Sequence, residues 1–375
     1  MPTYSCNAQL AFDTLQRKET KGIPTGLVHI MEHSVIERLA CAAAGEYVKD
    51  PSGVYFRMLE NIGVNMVDQM LADNPLSMGE KGYEGGGGGA TTGGVTVIDG
   101  HVIHTPEDCV EYIENIDFPS LEQKIKTFDE RQAIQEVISF ESQAQRILGP
   151  DILKTGHGLM TFPHLEYYRY GYENYLMAYV LYPEVINHLF RLQADYAVLK
   201  NQAIVKAYQN AGLPLYHRLD HDMADSRGLL VSLQSLKNNW TEQFARSIKP
   251  AVDADFALLW HCDGNLMELT PDLLEAGVNG FQGFQYEDGM DYVKICKMKD
   301  KKGRSMIIQA GVSVTRELPL GKPEDVKQQL RFLVENGPKT GLFLSMSSTC
   351  TPGTPWKNID TAIQGFKYYR EHGRG

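Results

Sequence analysis

In the second half of the chain, short apolar runs alternate with amphipathic stretches. Four runs, each long enough for a buried strand and too short for a helix, lie at 256–260, 278–285, 305–311 and 341–346. A polar loop and then a helical pattern follow each run, and the last two helices are predicted from Pro323 and from about Trp356 to His372. Four repeats of strand, loop and helix predict a parallel sheet with helices outside it.

The first half offers four further strand candidates, at 25–31, 64–70, 158–162 and 213–220. Together the eight runs predict an α/β fold, a (β/α)8 TIM barrel with an N-terminal extension. An open doubly wound sheet is the alternative, but no Gly-x-Gly-x-x-Gly follows the first strand. We expect one domain over 1–375, with 71–150 as an inserted glycine-rich hairpin and helical segment.

Composition narrows the classes of partner. The 375 residues include 36 Lys and Arg against 47 Asp and Glu, a net charge of −11, which makes nucleic acid and anionic membranes poor partners. No apolar stretch approaches the roughly 18 residues of a membrane span, and the N-terminus lacks the pattern of a signal peptide. We therefore expect a cytoplasmic protein; its oligomeric state, monomer or homodimer, is open.

In a barrel of this type the chemistry lies where strands end and loops begin. The polar and thiol side chains at the predicted ends of strands four to eight are Asp220, His221, Asp222, His261, Cys262, Asp263, Gln285, Glu287, Gln309 and Cys350. Carboxylates, imidazoles and a thiol are thus predicted to gather at one rim.

Zinc binds imidazole, thiolate and carboxylate ligands, so we predict a zinc site on His261, Glu287 and Cys350. Side chains alternate along a strand, so Asp263 shares the side of His261 while Cys262 packs outward. We predict Asp222, His221 and Asp263 as the acid–base residues. A role for Asp222 in helix capping or a strand-end hydrogen bond is equally open.

The segment 162–182 is rich in aromatic residues whose spacing places most of them on one helix face. Core packing is one interpretation, and an aromatic-lined pocket for a flat substrate is the other. For the second, the predicted substrate contacts are Phe162, His164, Tyr168 and Gln309. The five glycines at 85–89 lack the Gly-Lys-Ser/Thr of a phosphate loop, which favours a flexible hairpin tip, with a mobile lid as the alternative.

Four segments carry a resemblance to a known family. They are HCDGN at 261–265, EAGVNGFQGFQYEDGMD at 275–291, GKPEDV at 321–326 and PGTPWKNIDTAI at 352–363. They resemble the uroporphyrinogen decarboxylase superfamily, over about 150–372 and more loosely over the whole chain. The resemblance implies a (β/α)8 barrel and one of two activities, a cofactor-free decarboxylase or a zinc-dependent methyltransferase.

The decarboxylase branch carries an arginine-rich segment after its first strand. The corresponding stretch here, at 28–39, has only Arg38, so a lyase for a polycarboxylate is a weaker alternative. The thiol-alkylating methyltransferases carry His-x-Cys after strand five and a Cys after strand eight. This chain has His261 but Asp263 in place of the first Cys, and either Cys350 or Ser348 falls near the second. These departures argue against a thiol substrate, so a methylcobamide:thiol methyltransferase is only a second alternative.

The chain most resembles the substrate-side methyltransferases of anaerobic O-demethylase systems. This resemblance implies a zinc-dependent enzyme that takes a methyl group from a methoxylated aromatic compound. It also implies that the methyl group passes to cob(I)alamin, a corrinoid carried by a separate partner protein. The aromatic segment at 162–182 suits such a substrate.

Overall fold

The computed structural model describes residues 4–26, 28–69, 72, 78–79, 82–83, 96–283 and 285–374. The glycine run at 85–89, predicted as a hairpin tip, lies outside the described residues. No helix of the described part is both long and apolar enough to cross a membrane.

The strands are short and are numbered here in chain order. They are β1 Met66–Val67, β2 Met78–Gly79, β3 Gly82–Tyr83, β4 Thr96–Ile98, β5 His101–Ile103, β6 Leu153–Lys154, β7 Gly156–His157, β8 Tyr216–Asp220, β9 Ala224–Asp225, β10 Gly228–Leu229, β11 Ala257–His261, β12 Gly280–Gln282, β13 Ile307–Val312 and β14 Leu342–Met346.

Helices occupy most of the rest. They are α1 Cys6–Leu15, α2 His33–Leu39, α3 Glu46–Lys49, α4 Pro51–Ile62, α5 Pro106–Tyr112, α6 Phe118–Lys126, α7 Glu130–Leu148, α8 Tyr167–Tyr170, α9 Tyr172–Leu181, α10 Pro183–Ala211, α11 Leu233–Asn239, α12 Thr241–Asp253, α13 Thr270–Ala276, α14 Tyr292–Lys297, α15 Glu317–Leu320, α16 Pro323–Asn336 and α17 Trp356–His372. A π-helical turn at Ile113–Asp117 joins α5 to α6, and a 3-10 turn covers Tyr286–Asp288.

Six strands form one parallel sheet in the order β14-β13-β12-β11-β8-β7. In its register His261 pairs with Asp220 on one side and with Gln282 on the other. Helices lie between successive strands along the chain, so the α/β class and the parallel sheet are confirmed. Because parallel strands end at the same edge, the residues that follow β8, β11 and β12 meet there.

Both edges of this sheet contact the N-terminal segments. On one edge, the Gly26 amide donates to the Leu344 carbonyl at 2.8 Å. The Asn65 amide then donates to the Thr25 carbonyl, and the Leu153 amide to the Asn65 carbonyl, each at 2.9 Å. This last bond reaches β6, which directly precedes β7 at the other edge of the sheet.

The amino-terminal halves of the strands enclose a small apolar cluster, and α1 packs against it. Its buried members are Ala8, Ala11, Leu15, Met66, Leu153, Tyr216, Ala257, Leu259, Ile307 and Phe343. The helix therefore covers the amino-terminal end of the sheet. The polar side chains that end β8 and β11 lie at the opposite, carboxyl-terminal end.

The strand predicted at 158–162 is wrong, because the chain forms its third parallel strand earlier, in β6 and β7. Met160 and Phe162 are buried, but amides of this segment are satisfied by side chains rather than by a neighbouring strand. The Met160 amide donates to His217 Nε2 at 3.1 Å, and the Thr161 amide donates to Asn201 Oδ1 at 3.1 Å. The predicted helices from Pro323 and Trp356 are confirmed by α16 and α17.

Candidate functional site

Three ligand-type side chains meet at the carboxyl-terminal edge of the sheet. Asp222 follows β8, His261 ends β11, and Asp263 lies two residues further on. One side-chain ligand atom from each lies within 4.8 Å of the others, and this is the only such group of three or more among the described residues. The His261 Nε2 to Asp263 Oδ1 distance is 3.9 Å.

The His261 ring is oriented by the neighbouring strand. Its Nδ1 lies 3.2 Å from the Gln282 carbonyl oxygen, which can only accept, so Nδ1 carries a proton. In the neutral ring the lone pair is therefore on Nε2, which faces Asp263 and, at 3.8 Å, Asp220. An imidazole whose second nitrogen donates to a backbone carbonyl is the usual arrangement of a metal-binding histidine.

Asp263 is positioned by its neighbours but leaves one oxygen free. Its amide donates to Asp222 Oδ1 at 2.7 Å, and Ser348 Oγ donates to its Oδ2 at 3.4 Å. Its Oδ1 is buried and has no hydrogen-bond partner among the described residues. Burial raises the pKa of the Asp263 carboxyl, with the charge of Asp222 adding and that of His261 opposing. A bound cation would satisfy this oxygen and stabilise the carboxylate.

Below this group lies a chain of charged side chains. His157 Nε2 donates to Asp220 Oδ2 at 2.8 Å, and Arg218 Nη1 lies 3.0 Å from the same oxygen. Arg218 Nε donates in turn to Asp68 Oδ2 at 2.7 Å. Burial disfavours the charge of Asp220, but the bond from His157 and the charge of Arg218 outweigh it and hold the pKa well below its usual range. Asp220 is therefore ionised, with its charge shared.

Sequence reasoning missed His157, Arg218 and Asp68 as members of the site. It recognised Asp220 only as a strand end. The predicted third strand began after His157, so this residue was not placed at the rim. Alternate residues of a strand face the same side, so Arg218 and Asp220 share one side of β8 once the strand is known.

The structure does not bring Glu287 and Cys350 together with His261. Glu287 Oε1 accepts from Ser313 Oγ and Thr315 Oγ1, each at 2.5 Å. The Cys350 thiol is buried beside Thr354, and burial raises its pKa to about 11, which keeps it protonated. The residue after strand eight that does reach the group is Ser348, through Asp263.

Of the other predicted site residues, His221 and Phe162 lie in the core, and His164 is half-buried beside them. His221 Nε2 accepts from the Leu165 amide at 2.9 Å, and burial lowers its pKa well below the usual range. The ring of His164 stacks on Phe162 at 4.4 Å, and burial lowers its pKa to about 4. These rings support the loop before α8, and the acid–base role of His221 stays a prediction.

The remaining predicted contacts are divided between surface and interior. The Tyr168 side chain is 57% exposed, whereas Gln309 is buried and donates to the Tyr216 hydroxyl at 2.8 Å. Most rings of the aromatic segment are buried, among them Tyr167 and Tyr175. Core packing is therefore the main role of these rings.

A cavity of about 690 Å³ is lined mainly by α9 and the β9–β10 hairpin. Its lining residues are Tyr172, Leu176, Asp225, Arg227, Gly228, Leu229, Leu230, Val231, Ser232, Leu233 and Glu268. The Tyr172 ring packs on Tyr167 at 4.3 Å, and the Tyr167 hydroxyl donates to the Asp222 carbonyl at 2.7 Å. One layer of side chains thus separates the cavity from the backbone of Asp222.

Comparison with known proteins places this arrangement in a wider fold class. No protein-family model matches the chain, and no curated protein matches it in sequence. Among solved structures, a methyltransferase from Methanosarcina mazei is similar over 97% of this chain and 98% of that one, with a TM-score of 0.56 and 14% identity. At that identity the likeness shows the fold.

A protein described as a vitamin-B12-independent methionine synthase, from Listeria monocytogenes, matches over 94% of this chain and 99% of that one. Its TM-score is 0.47 and its identity 14%, which is too low to carry an argument. The likeness to the Methanosarcina methyltransferase alone shows the α/β fold of the described chain.

Proposed function

We propose that this protein is a metal-dependent methyltransferase of the cytoplasm. It moves a methyl group from a methoxylated aromatic compound to the cob(I)alamin of a separate corrinoid protein. The observation that carries the proposal is the convergence of Asp222, His261 and Asp263 at the carboxyl-terminal edge of the parallel sheet. Methyl transfer is supported by the likeness of the fold to a methyltransferase. It is also supported by the resemblance of the sequence motifs to the uroporphyrinogen decarboxylase superfamily.

We further infer that the sheet closes into the predicted eight-stranded barrel. The bonds of Gly26 to Leu344, of Asn65 to Thr25 and of Leu153 to Asn65 connect the two edges of the six-stranded sheet. In a closed barrel, the loops after the strands form a mouth, and active sites of such enzymes lie there. The group of Asp222, His261 and Asp263 then lies in the mouth, open to substrate.

The donor set fits a divalent metal ion. One neutral imidazole nitrogen and two carboxylates are ligands that zinc accepts, and the unpartnered Oδ1 of Asp263 supplies a donor that nothing else satisfies among the described residues. A zinc ion held there would act as a Lewis acid toward the ether oxygen. The set contains no thiolate, which favours an oxygen substrate over the thiol of the second alternative.

Methyl transfer leaves negative charge on the phenolic oxygen, so the chain must supply a proton or a positive charge. We assign the proton to Nδ1 of the charged His157 ring, because the hydrogen on its Nε2 is held by Asp220. The two side chains are 19% and 32% exposed, so both reach the open side of the site. The carboxylate of Asp220 stabilises the charged ring of His157, and Arg218 holds Asp220 in place.

The decarboxylase alternative lacks its recognition groups. A polycarboxylate substrate needs several free guanidinium groups. Arg218 is the only Arg or Lys ion-paired within the described site, and Asp68 and Asp220 already neutralise it.

Replacing His261 tests the proposal. We expect the wild-type chain to bind about one zinc ion and to methylate added cob(I)alamin, seen as the change in the cobalt spectrum. His261→Ala should lose the bound metal and lower the rate by about 100-fold or more. Loss of a direct metal ligand should reduce activity at least as much as loss of a residue that only orients such a ligand. His372→Ala, on the exposed end of α17, is the matched control. Full turnover in His261→Ala, or in chelated wild-type enzyme, would contradict the metal role.

A further inference from the structure

The charges around the site are strongly unbalanced. Four carboxylates lie in the connected network: Asp68, Asp220, Asp222 and Asp263. The only Arg or Lys ion-paired with any of them, among the described residues, is Arg218. With both imidazoles neutral, four carboxylates against one guanidinium leave three negative charges. With His157 protonated, as its proposed role as proton donor requires, two negative charges remain, and a bound divalent ion balances them.

The single guanidinium is out of reach of a substrate. Arg218 Nε is bonded to Asp68, and its Nη1 donates to Asp220 and to Gln282 Oε1. Its Nη2 is buried, and the whole side chain is only 5% exposed. The more open side chains are acidic, with Asp220 at 32% and Asp263 at 40% exposed. An entering molecule meets carboxylates before it meets Arg218.

We propose that the site selects methyl donors that carry no carboxylate or other anionic group, so that its substrates are uncharged methoxyarenes such as phenol ethers and amides. The inference rests on the proposed function and narrows its substrate class. An anionic substituent would be repelled by Asp220, Asp222 and Asp263 in a partly dehydrated site, where charges interact more strongly than in water. The reaction itself adds negative charge to the leaving oxygen, so a second anionic group would compound the repulsion.

The test compares two ligands that differ only in charge, 4-methoxybenzamide and 4-methoxybenzoate. Their equilibrium dissociation constants for the full chain are measured by calorimetry, with zinc and with a chelator, at low and high salt. We expect the amide to bind at least about tenfold more tightly than the benzoate. The ratio of the benzoate to the amide dissociation constant should be smaller at high salt, because ions screen the repulsion. Chelation should widen the ratio, because it removes two positive charges.

A variant isolates the carboxylates as the cause. Asp222→Asn removes one charge from an exposed side chain, and the amide oxygen can still accept from the Asp263 amide. Because Asp222 is also a proposed metal ligand, both chains are compared with the chelator present. We then expect this variant to lower the preference for the amide, the ratio of the two dissociation constants, severalfold. Asp253→Asn, which removes an exposed charge paired with Lys249 on α12, is the matched control and should leave the ratio unchanged.

Equal or tighter binding of the benzoate would overturn the inference, above all if its binding depended on zinc, since the carboxylate would then be a metal ligand. The proposed function can fail separately. If neither ligand donates its methyl group to cob(I)alamin while the amide still binds more tightly, the methyl transfer is wrong and the charge selection stands.

Discussion

The histidines near the site fall into two groups with distinct environments. His157 and His261 lie at its open side, with one nitrogen of each hydrogen-bonded to an oxygen acceptor. His221 lies in the core and His164 is half-buried against Phe162; burial lowers their pKa values and keeps both rings neutral. The sequence placed both His221 and His261 at the rim, because both follow a predicted strand. Burial by Phe162 and Tyr167 separates their roles.

The buried ring of His164 predicts a pH dependence of stability. Its pKa falls from 6.5 to about 4 on folding, so the unfolded chain binds more protons between these values. The free energy of unfolding should therefore fall as the pH drops from about 6.5 to 4, by up to about 1.4 kcal/mol per pH unit from this one ring. Urea unfolding at a series of pH values measures the slope.

His164→Phe keeps a ring on Phe162 but cannot take up a proton, so its slope in this window should be lower. His372→Phe, at an exposed position, should keep the wild-type slope. An unchanged slope in His164→Phe would mean that this ring does not stay neutral in the folded protein.

At the scale of elements, the loops after β8, β11 and β12 support one another. The Asn265 amide donates to the Asp225 carbonyl at 2.8 Å, which joins the β9–β10 hairpin to the loop that carries Asp263. Gly283 follows β12 with φ +63°, and a Cβ there would lie 2.2 Å from the Ser347 oxygen and 2.9 Å from His261 Nδ1. A glycine is thus required where three loops approach the imidazole.

Gly283→Ala is expected to disturb the metal site as well as the fold. Gly303→Ala is the matched control, because Gly303 has φ +75° but an added methyl group there would meet no other part of the chain within 4 Å. Both variants should lose about 1–3 kcal/mol of stability from backbone strain. Only Gly283→Ala should also weaken zinc binding, by about tenfold or more, since the methyl group displaces His261. Equal zinc affinities for the two variants would contradict this account.

At the scale of the whole molecule, the N-terminal quarter of the chain joins the two edges of the sheet. Asn65, fully buried, contributes more than its backbone. Its side-chain oxygen accepts from the Thr25 amide at 2.8 Å, and its Nδ2 donates to the Asn7 carbonyl at 2.9 Å. One residue therefore connects the segment at Thr25, the start of β1 and the first turn of α1.

Asn65→Leu should destabilise the entire protein by about 2–4 kcal/mol, because it leaves a buried amide and a carbonyl without partners. Denaturant unfolding should show one transition shifted to lower concentration. Asn61→Ala, which removes an exposed contact with Leu39, should change stability by less than about 0.5 kcal/mol. Separate early unfolding of the N-terminal segments, with the main transition unchanged, would argue against barrel closure.

The amino-acid sequence by itself determined the parallel strand–helix units of the second half. Helices α16 and α17 begin and end where the pattern of apolar residues, prolines and glycines predicted, because these signals act within a few residues. Local alternation also indicated that Asp263 shares the side of His261, and the two side chains do lie together.

Only the tertiary structure decided which strand ends meet. It joined Asp222 to His261 and Asp263, left Glu287 with Ser313 and Thr315, and kept Cys350 in the core. The third strand and the network of His157, Asp220, Arg218 and Asp68 were likewise beyond local patterns. The physical reason is that a loop's direction depends on hydrogen bonds and packing with residues far away along the chain, which sequence spacing does not encode.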